Sequence, residues 1–271
     1  MNMTDVAERG LVLLGCGKMG SAMLGGWLRT GLPPLSVLVI DPKPSAWLKE
    51  QGVQIGGKLP KNPAVLIVAV KPQMMQDALP DVKALGDGKT LVISIAAGTP
   101  IATFADAFGE KTPIVRAMPN TPAAIGRGVT AMIGNDVVSA DQMNLAEALL
   151  LSVGDVARLD SEDQMDVVTA VSGSGPAYVF HLIETLAAAG MAEGLPADLA
   201  MQLAKTTVAG AGELAQHEDV NPAQLRANVT SPNGTTQAAL EVLMDFETGF
   251  PPLLRRAVAA AADRSRELAN E

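Results

Sequence analysis

Apolar runs and amphipathic stretches alternate along the first half of the chain. Leu11 to Leu14 form a short apolar run that ends in Gly-Cys-Gly. Positions 18–30 then read as a helix closed by Gly31 and Pro33. Further apolar runs fall at 37–40, 65–70, 90–95 and 113–116. The run at 65–70 has no polar alternation, as expected of a parallel strand buried on both faces. Helical stretches lie between the runs, near 45–51, 74–83 and 100–108. A strand at 129–133, a helix at 141–151 and a strand at 156–159 would complete the sheet. This order predicts an α/β fold, a Rossmann-type parallel sheet covered on both sides.

After about residue 159 the strand signals stop. Long Ala/Leu-rich segments at 178–192, 196–216, 235–244 and 253–269 predict helices, with breaks at Gly, Pro and Asn. The predicted boundary lies near 160: a sheet domain over 1–160 and an all-α domain over 161–271.

Composition narrows the function. Among 271 residues, 48% are hydrophobic and 18% charged, enough for a packed core. A net charge of −9 and 3% aromatics argue against a nucleic-acid partner. One cysteine and two histidines exclude a multi-Cys zinc site and leave little for a His-rich metal site. The first residues have no apolar core of a secretory signal, and no apolar run approaches the roughly 20 residues of a spanning helix. The expectation is a cytoplasmic protein without membrane association.

Gly15-Cys16-Gly17-Lys18-Met19-Gly20 fits G-x-G-x-x-G between a predicted strand and a predicted helix. The first glycine permits the tight turn, the second lets a pyrophosphate approach the backbone, and the third lets the helix pack on the strand. The alternative is a tight strand–helix turn that binds nothing, with Cys16 a small filler. Asp41 follows the second strand, 21 residues after Gly20. It can bond the adenosine ribose and repel a 2′-phosphate, with Lys43 offsetting that repulsion; equally, Asp41-Pro42 can merely begin a turn.

Three further strand ends carry unusual sequence: Ala69-Val70-Lys71-Pro72-Gln73, Ser94-Ile95-Ala96-Ala97-Gly98 and Arg116-Ala117-Met118-Pro119-Asn120-Thr121-Pro122. Ligands of open parallel sheets bind beyond the carboxyl ends of the strands. Any one of these loops reads as ordinary punctuation; the three together point to a nicotinamide pocket. Two loops mark the helical half. Val171-Ser172-Gly173-Ser174-Gly175-Pro176 permits close packing or simply caps a helix. Thr230-Ser231-Pro232-Asn233-Gly234-Thr235-Thr236 offers backbone N–H groups and hydroxyls at a helix start, suited to a carboxylate or, again, only to capping.

The stretch from Val229 through Thr230-Ser231-Pro232-Asn233-Gly234-Thr235-Thr236 to Leu243 resembles the signature of the pyrroline-5-carboxylate reductase family. The glycine loop, the three strand-end loops and the segment 171–178 occur in matching order, so the resemblance covers essentially the whole chain. It implies reduction of 1-pyrroline-5-carboxylate to L-proline, the last step of proline biosynthesis, with NADPH or NADH. It also implies a helical domain that dimerises, with higher homo-oligomers in some members. The cofactor would lie on Gly15, Gly17, Lys18, Met19, Gly20, Asp41, Lys43, Ala69, Val70, Lys71, Pro72, Ala96, Ala97, Gly98 and Asn120. By the same mapping Thr236 contacts the imine nitrogen, Ser231, Gly234 and Thr235 hold the carboxylate, and Val229 packs on the ring. Lys18 stands where the family often has Asn, and Asn233 replaces the first of two adjacent glycines. Asn tolerates the left-handed backbone, so the loop is expected to keep its shape.

Other readings remain at this level. A two-domain 3-hydroxyacid dehydrogenase would need a lysine on a helix of the second domain; Lys205 is the only lysine after Lys111 and lacks that motif. A non-catalytic dinucleotide sensor would keep the glycine loop but has no need of the 231–236 constellation. A purely structural dimeriser explains neither.

Overall fold

The computed structural model describes residues 3–86 and 88–269. It divides into two compact units. One comprises the chain up to Gly173 together with the segment from Ala262 onward; the other is Ser174–Ala261.

The first unit opens with α1 (Met3–Arg9) and β1 (Leu11–Leu14), followed by α2 (Lys18–Arg29) and β2 (Val37–Ile40). Then come α3 (Ala46–Lys49), β3 (Gln54–Ile55), β4 (Val65–Val68), α4 (Met75–Ala78), β5 (Leu91–Ser94), α5 (Ile101–Phe108) and β6 (Ile114–Met118). The unit continues with β7 (Gly128–Gly134), α6 (Ala140–Leu150), β8 (Gly154–Arg158) and α7 (Gln164–Val168). The sheet order is β3-β2-β1-β4-β5-β6-β7-β8. From β3 to β6 every neighbour pairs in parallel.

Side chains of a strand alternate between the two faces. Leu11, Leu13, Val37, Val39, Val65, Ile67, Leu91 and Ile93 therefore enter one core with Met23, Leu24 and Trp27 of α2 and Leu145 and Leu149 of α6. Val12, Leu14, Leu38, Leu66, Val68 and Val92 enter the other with Val82, Leu85, Phe104 and Phe108. Burial on both faces is why these strands carry no polar alternation.

Three elements depart from the sequence expectation. The predicted helix at 74–83 is α only over Met75–Ala78 and continues as a 3-10 helix over Leu79–Leu85. Pro80 has no N–H to give an α-helical turn. β7 runs antiparallel to β6. Only the short 3-10 segment Thr121–Ile125 joins them, too short for a parallel crossover of a dozen or more residues. Residues 161–173, placed with the helical domain by the sequence boundary, fold within the sheet unit as α7 and a π-helical turn, Thr169–Gly173.

Trp27 is fully buried, and its Nε1–H donates to the Leu149 carbonyl at 2.9 Å. Ser152 Oγ also donates to that oxygen at 2.6 Å. Trp27→Phe therefore removes one of two donors without orphaning the carbonyl. It is expected to cost about 1 kcal/mol from the hydrogen bond, plus the packing lost with the smaller ring. A fall in urea midpoint at fixed protein concentration measures it; an unchanged midpoint contradicts it.

The second unit contains α8 (Gly175–Ala192), α9 (Ala197–His217), α10 (Pro222–Asn228), α11 (Thr235–Leu243) and most of α12 (Phe250–Ala269). Its buried core is small: Ala187, Ala200 and Ala204, with Ile183 and Met201 packed against them. Phe180, Leu186, Leu199, Leu203, Leu214, Leu253 and Leu254 are all exposed. So much exposed apolar surface on one unit marks an association surface. The end of α12 belongs to the sheet unit, where Ala262 and Ser265 are buried and Ser265 Oγ donates to Asp166 Oδ1 at 2.6 Å.

Candidate active site

The glycine loop leaves β1 and enters α2, and its three glycines face different constraints. Gly15 has φ +88, and a Cβ there would lie 2.9 Å from Val70 Cγ1 and 3.1 Å from the Ala69 backbone. A Cβ on Gly20 would lie 2.6 Å from the Gly15 carbonyl oxygen, so only glycine lets α2 pack this close. A Cβ on Gly17 would meet nothing within 4 Å. Its side of the loop is open, and no side chain caps the start of α2. An uncapped helix start with bare backbone beside it fits a pyrophosphate on the unpaired N–H groups. Lys18 is exposed and Met19 half-buried next to this opening.

Asp41 ties this loop to the end of β2. The Cys16 N–H donates to Asp41 Oδ2 at 2.7 Å, and the Lys43 N–H donates to Oδ1 at 2.8 Å. The second bond is an Asx-turn, the turn role weighed from sequence. The first is a longer-range clamp that the linear pattern did not reveal. The carboxylate is thereby held at the exit of β2, where its remaining lone pairs are left for a ribose hydroxyl. The Lys43 side chain is exposed.

The other strand ends lie along the same sheet edge. At the end of β4, the Ala69 backbone leaves no room for a Cβ on Gly15, while Lys71 and Pro72 are exposed. At the end of β5, the Ser94 hydroxyl accepts from the Ala96 N–H at 3.2 Å; Ala96 and Gly98 are buried and Ala97 is exposed. At the end of β6, the Asn120 amide is engaged at both ends. Its Oδ1 accepts from the Val129 N–H at 3.0 Å and its Nδ2 donates to the Ser172 carbonyl at 3.2 Å. Asn120 therefore braces the β6 exit against β7 and the π turn.

Sequence reasoning missed a part-buried ion pair behind this rim, with Arg116 buried and Glu162 one-third exposed. Arg116 donates to Glu162 Oε1 at 2.7 Å, and the same oxygen accepts from the Ile101 N–H at the start of α5. The partners are 46 residues apart, and no local pattern announces the pairing.

In the second unit the loop before α11 keeps the expected shape. Asn233 has φ +59, the left-handed conformation that Asn tolerates. Its N–H donates to Gln237 Oε1 at 2.8 Å, and Gly234 N–H donates to the Ser231 carbonyl at 3.0 Å. Gly234 starts α11 without a side-chain cap, so the first N–H groups of the helix stay available. Val229 is two-thirds exposed, Ser231 and Thr235 are exposed, and Thr236 is half-buried.

Cys16 is buried, with Sγ 3.5 Å from Ser21 Oγ. Burial pushes its thiol above the ordinary value and the Asp41 charge adds to this, outweighing the opposing Ser21 hydrogen bond. The thiolate, not the thiol, is nucleophilic. Native protein at mildly alkaline pH is therefore expected to react with iodoacetamide far more slowly than urea-unfolded protein. Equal rates contradict this assignment. Both histidines are exposed beside glutamates one helical turn away, Glu184 for His181 and Glu213 for His217. Among the described residues no group of three or more His, Cys, Asp or Glu side chains could hold a metal.

The parallel sheet and the open glycine loop place the chain among Rossmann-type oxidoreductases that use NAD(P)H. The model for "NADP oxidoreductase coenzyme F420-dependent" proteins matches residues 10–98, and that for "Pyrroline-5-carboxylate reductase dimerisation" matches 162–268. The chain belongs to the pyrroline-5-carboxylate reductase family. It is 38% identical to the pyrroline-5-carboxylate reductase of Pseudomonas aeruginosa over 267 residues, 96% of this chain and 97% of that protein. The solved pyrroline-5-carboxylate reductase of Coxiella burnetii superposes with a TM-score of 0.90 at 35% identity, covering 96% of this chain and 98% of the other. The Plasmodium falciparum pyrroline carboxylate reductase, solved with NADP bound, gives 0.82 at 29% identity, covering 96% and 98%.

Proposed function

We propose that this protein reduces the C=N bond of 1-pyrroline-5-carboxylate to give L-proline, with hydride from NADPH or NADH. Family membership over nearly the full length supports the reaction. The structural observation that carries it is an uncapped helix start in each unit, each with bare backbone beside it. One follows the open Gly17 and suits a pyrophosphate; the other follows Gly234 and suits a carboxylate.

The dinucleotide-binding part read from the sequence, 1–160, extends in this reading through the turn that ends at Gly173, and the helices within 161–271 that follow it bind substrate and dimerise. Gly15, Gly17, Lys18, Met19 and Gly20 hold the pyrophosphate. Asp41 and Lys43 meet the adenosine ribose, and the fixed carboxylate of Asp41 favours NADH over NADPH. The ends of β4, β5 and β6, from Ala69 to Pro72, Ala96 to Gly98 and Asn120, surround the nicotinamide. Ser231, Gly234 and Thr235 take the substrate carboxylate, and Val229 packs on the pyrroline ring.

The bound dinucleotide supplies the hydride. The hydride adds to the imine carbon, the C=N π electrons move to nitrogen, and the ring nitrogen ends protonated. The Thr236 hydroxyl oxygen accepts a hydrogen bond from the N–H of the protonated imine and fixes the orientation of the ring. Orientation dominates the rate, since productive transfer requires reacting carbons about 3–3.5 Å apart. An imine that reacts already protonated needs no further acid, in keeping with two exposed histidines that are not part of these loop sequences.

The helical unit forms a homodimer through its exposed apolar helices, and the protein works in the cytoplasm. Among the described residues no helix is long and apolar enough to cross a membrane.

Purified protein is expected to oxidise NADH or NADPH rapidly with 1-pyrroline-5-carboxylate and to reduce neither NAD+ nor NADP+ with 3-hydroxy acids. The reverse pattern overturns the substrate assignment. Cofactor binding without turnover of the cyclic imine favours a sensor.

A further inference from the structure

The Ser172 hydroxyl lies beside the β6 exit, in the turn whose carbonyl Asn120 bonds. Its Oγ is buried without a hydrogen-bond partner, the only such side-chain oxygen or nitrogen found among the described residues. An unsatisfied buried polar group costs about 1–3 kcal/mol and calls for a reason. Two further observations place it. Ser172 lies in the π-helical turn Thr169–Gly173, and such turns concentrate at functional positions. Its backbone is pinned to the sheet rim. Asn120 Nδ2 donates to its carbonyl, and a Cβ on the next residue, Gly173, would lie 2.7 Å from Cε of Met118, the last residue of β6. The turn is held in place while the hydroxyl is left with nothing to bond.

We infer that Ser172 is a cofactor-positioning residue whose hydroxyl bonds the carboxamide of the nicotinamide ring; this rests on the dinucleotide reading above. The position suits that group. β6 is three strands from β1 in the sheet, roughly 14 Å at the usual strand spacing, so a phosphate on the glycine loop does not reach it. Arg116, the only cation on β6, is already paired with Glu162, so the site offers no free charge for a carboxylate. A hydroxyl both donates and accepts, matching a carboxamide, which presents a carbonyl oxygen and an amino group. The small residues Ala96 to Gly98 at the neighbouring β5 exit leave room for a planar ring.

The test compares wild type, Ser172→Ala and Ser172→Thr with NADH and two analogues. In reduced 3-acetylpyridine adenine dinucleotide a methyl replaces the carboxamide amino group; in the reduced thionicotinamide dinucleotide, sulfur replaces the carbonyl oxygen. Ser172→Ala is expected to lose about tenfold in kcat/KM with NADH, about 1.4 kcal/mol. It should lose much less with at least one analogue, so that wild-type discrimination against that analogue collapses. Ser172→Thr should restore it, and the Kd of NADH from fluorescence titration without imine should rise in the alanine variant and recover in the threonine variant. Ser172→Cys, close in size to serine, gives the same reading if the alanine variant does not fold. Wild-type discrimination retained by a folded, active variant overturns this inference alone, as does a rise confined to the KM of the cyclic imine. A wild-type protein that oxidises no reduced dinucleotide with the imine overturns the enzyme reading and this inference with it.

Discussion

Thr236→Ala lowers kcat/KM for 1-pyrroline-5-carboxylate about a hundredfold, roughly 2.7 kcal/mol, and leaves dinucleotide affinity unchanged. The expectation follows from the position proposed for this hydroxyl. Thr236 is in the first turn of α11, directly after the tight loop in which Asn233 takes the left-handed conformation and Gln237 bonds back to its N–H. That loop fixes where the side chain starts, so removing the hydroxyl leaves the surrounding backbone in place. What is lost is the hydrogen bond to the imine nitrogen, whose charge and orientation change as hydride arrives. Thr236→Ser keeps the hydroxyl and should retain most of the activity. Steady-state kinetics with the imine and fluorescence titration of the dinucleotide separate the two effects. Kinetics unchanged in the alanine variant would remove Thr236 from the reaction.

Asp41→Asn is expected to shift the ratio of kcat/KM for NADH over NADPH toward NADPH by at least about tenfold, roughly 1.4 kcal/mol. The carboxylate cannot swing away from a 2′-phosphate, because the Cys16 and Lys43 N–H groups each hold one of its oxygens. Like charges brought together at a binding surface cost several kcal/mol. Asparagine removes the charge but keeps one carbonyl oxygen, and its amino group faces a backbone N–H that it cannot accept. The glycine loop should therefore loosen, lowering affinity for both cofactors while the ratio moves. Equal losses with both cofactors would leave Asp41 as a loop clamp and no more.

These two residues also show how far the amino-acid pattern reaches. The glycine spacing, its place between a strand and a helix, and the left-handed tolerance of Asn233 are local properties, and local properties are written in adjacent residues. β1 and β2 start and end where their apolar runs do. The two-residue β3 and the helix α1 carry too few apolar positions to set a period. The reversal of β7 depended on how short a 3-10 segment could connect it to β6. Long-range polar bonds were least visible: Asp41 to Cys16, Arg116 to Glu162 and Asn120 to Ser172 each join residues far apart in the chain. Asn120, which the sequence suggests as a ligand contact, also bonds Val129 and Ser172 through its amide, and the linear pattern shows neither partner. The orphan hydroxyl of Ser172 has no linear signature at all, since it is defined by what does not surround it.

The most direct test of the central claim follows the hydride itself. The protein is incubated with 1-pyrroline-5-carboxylate and NADH or NADPH deuterated at the transferring position of the nicotinamide, and the product is analysed by mass spectrometry and NMR. The account predicts L-proline carrying one deuterium on the ring carbon next to nitrogen that does not bear the carboxylate. Cofactor oxidation that yields no deuterated proline would contradict it.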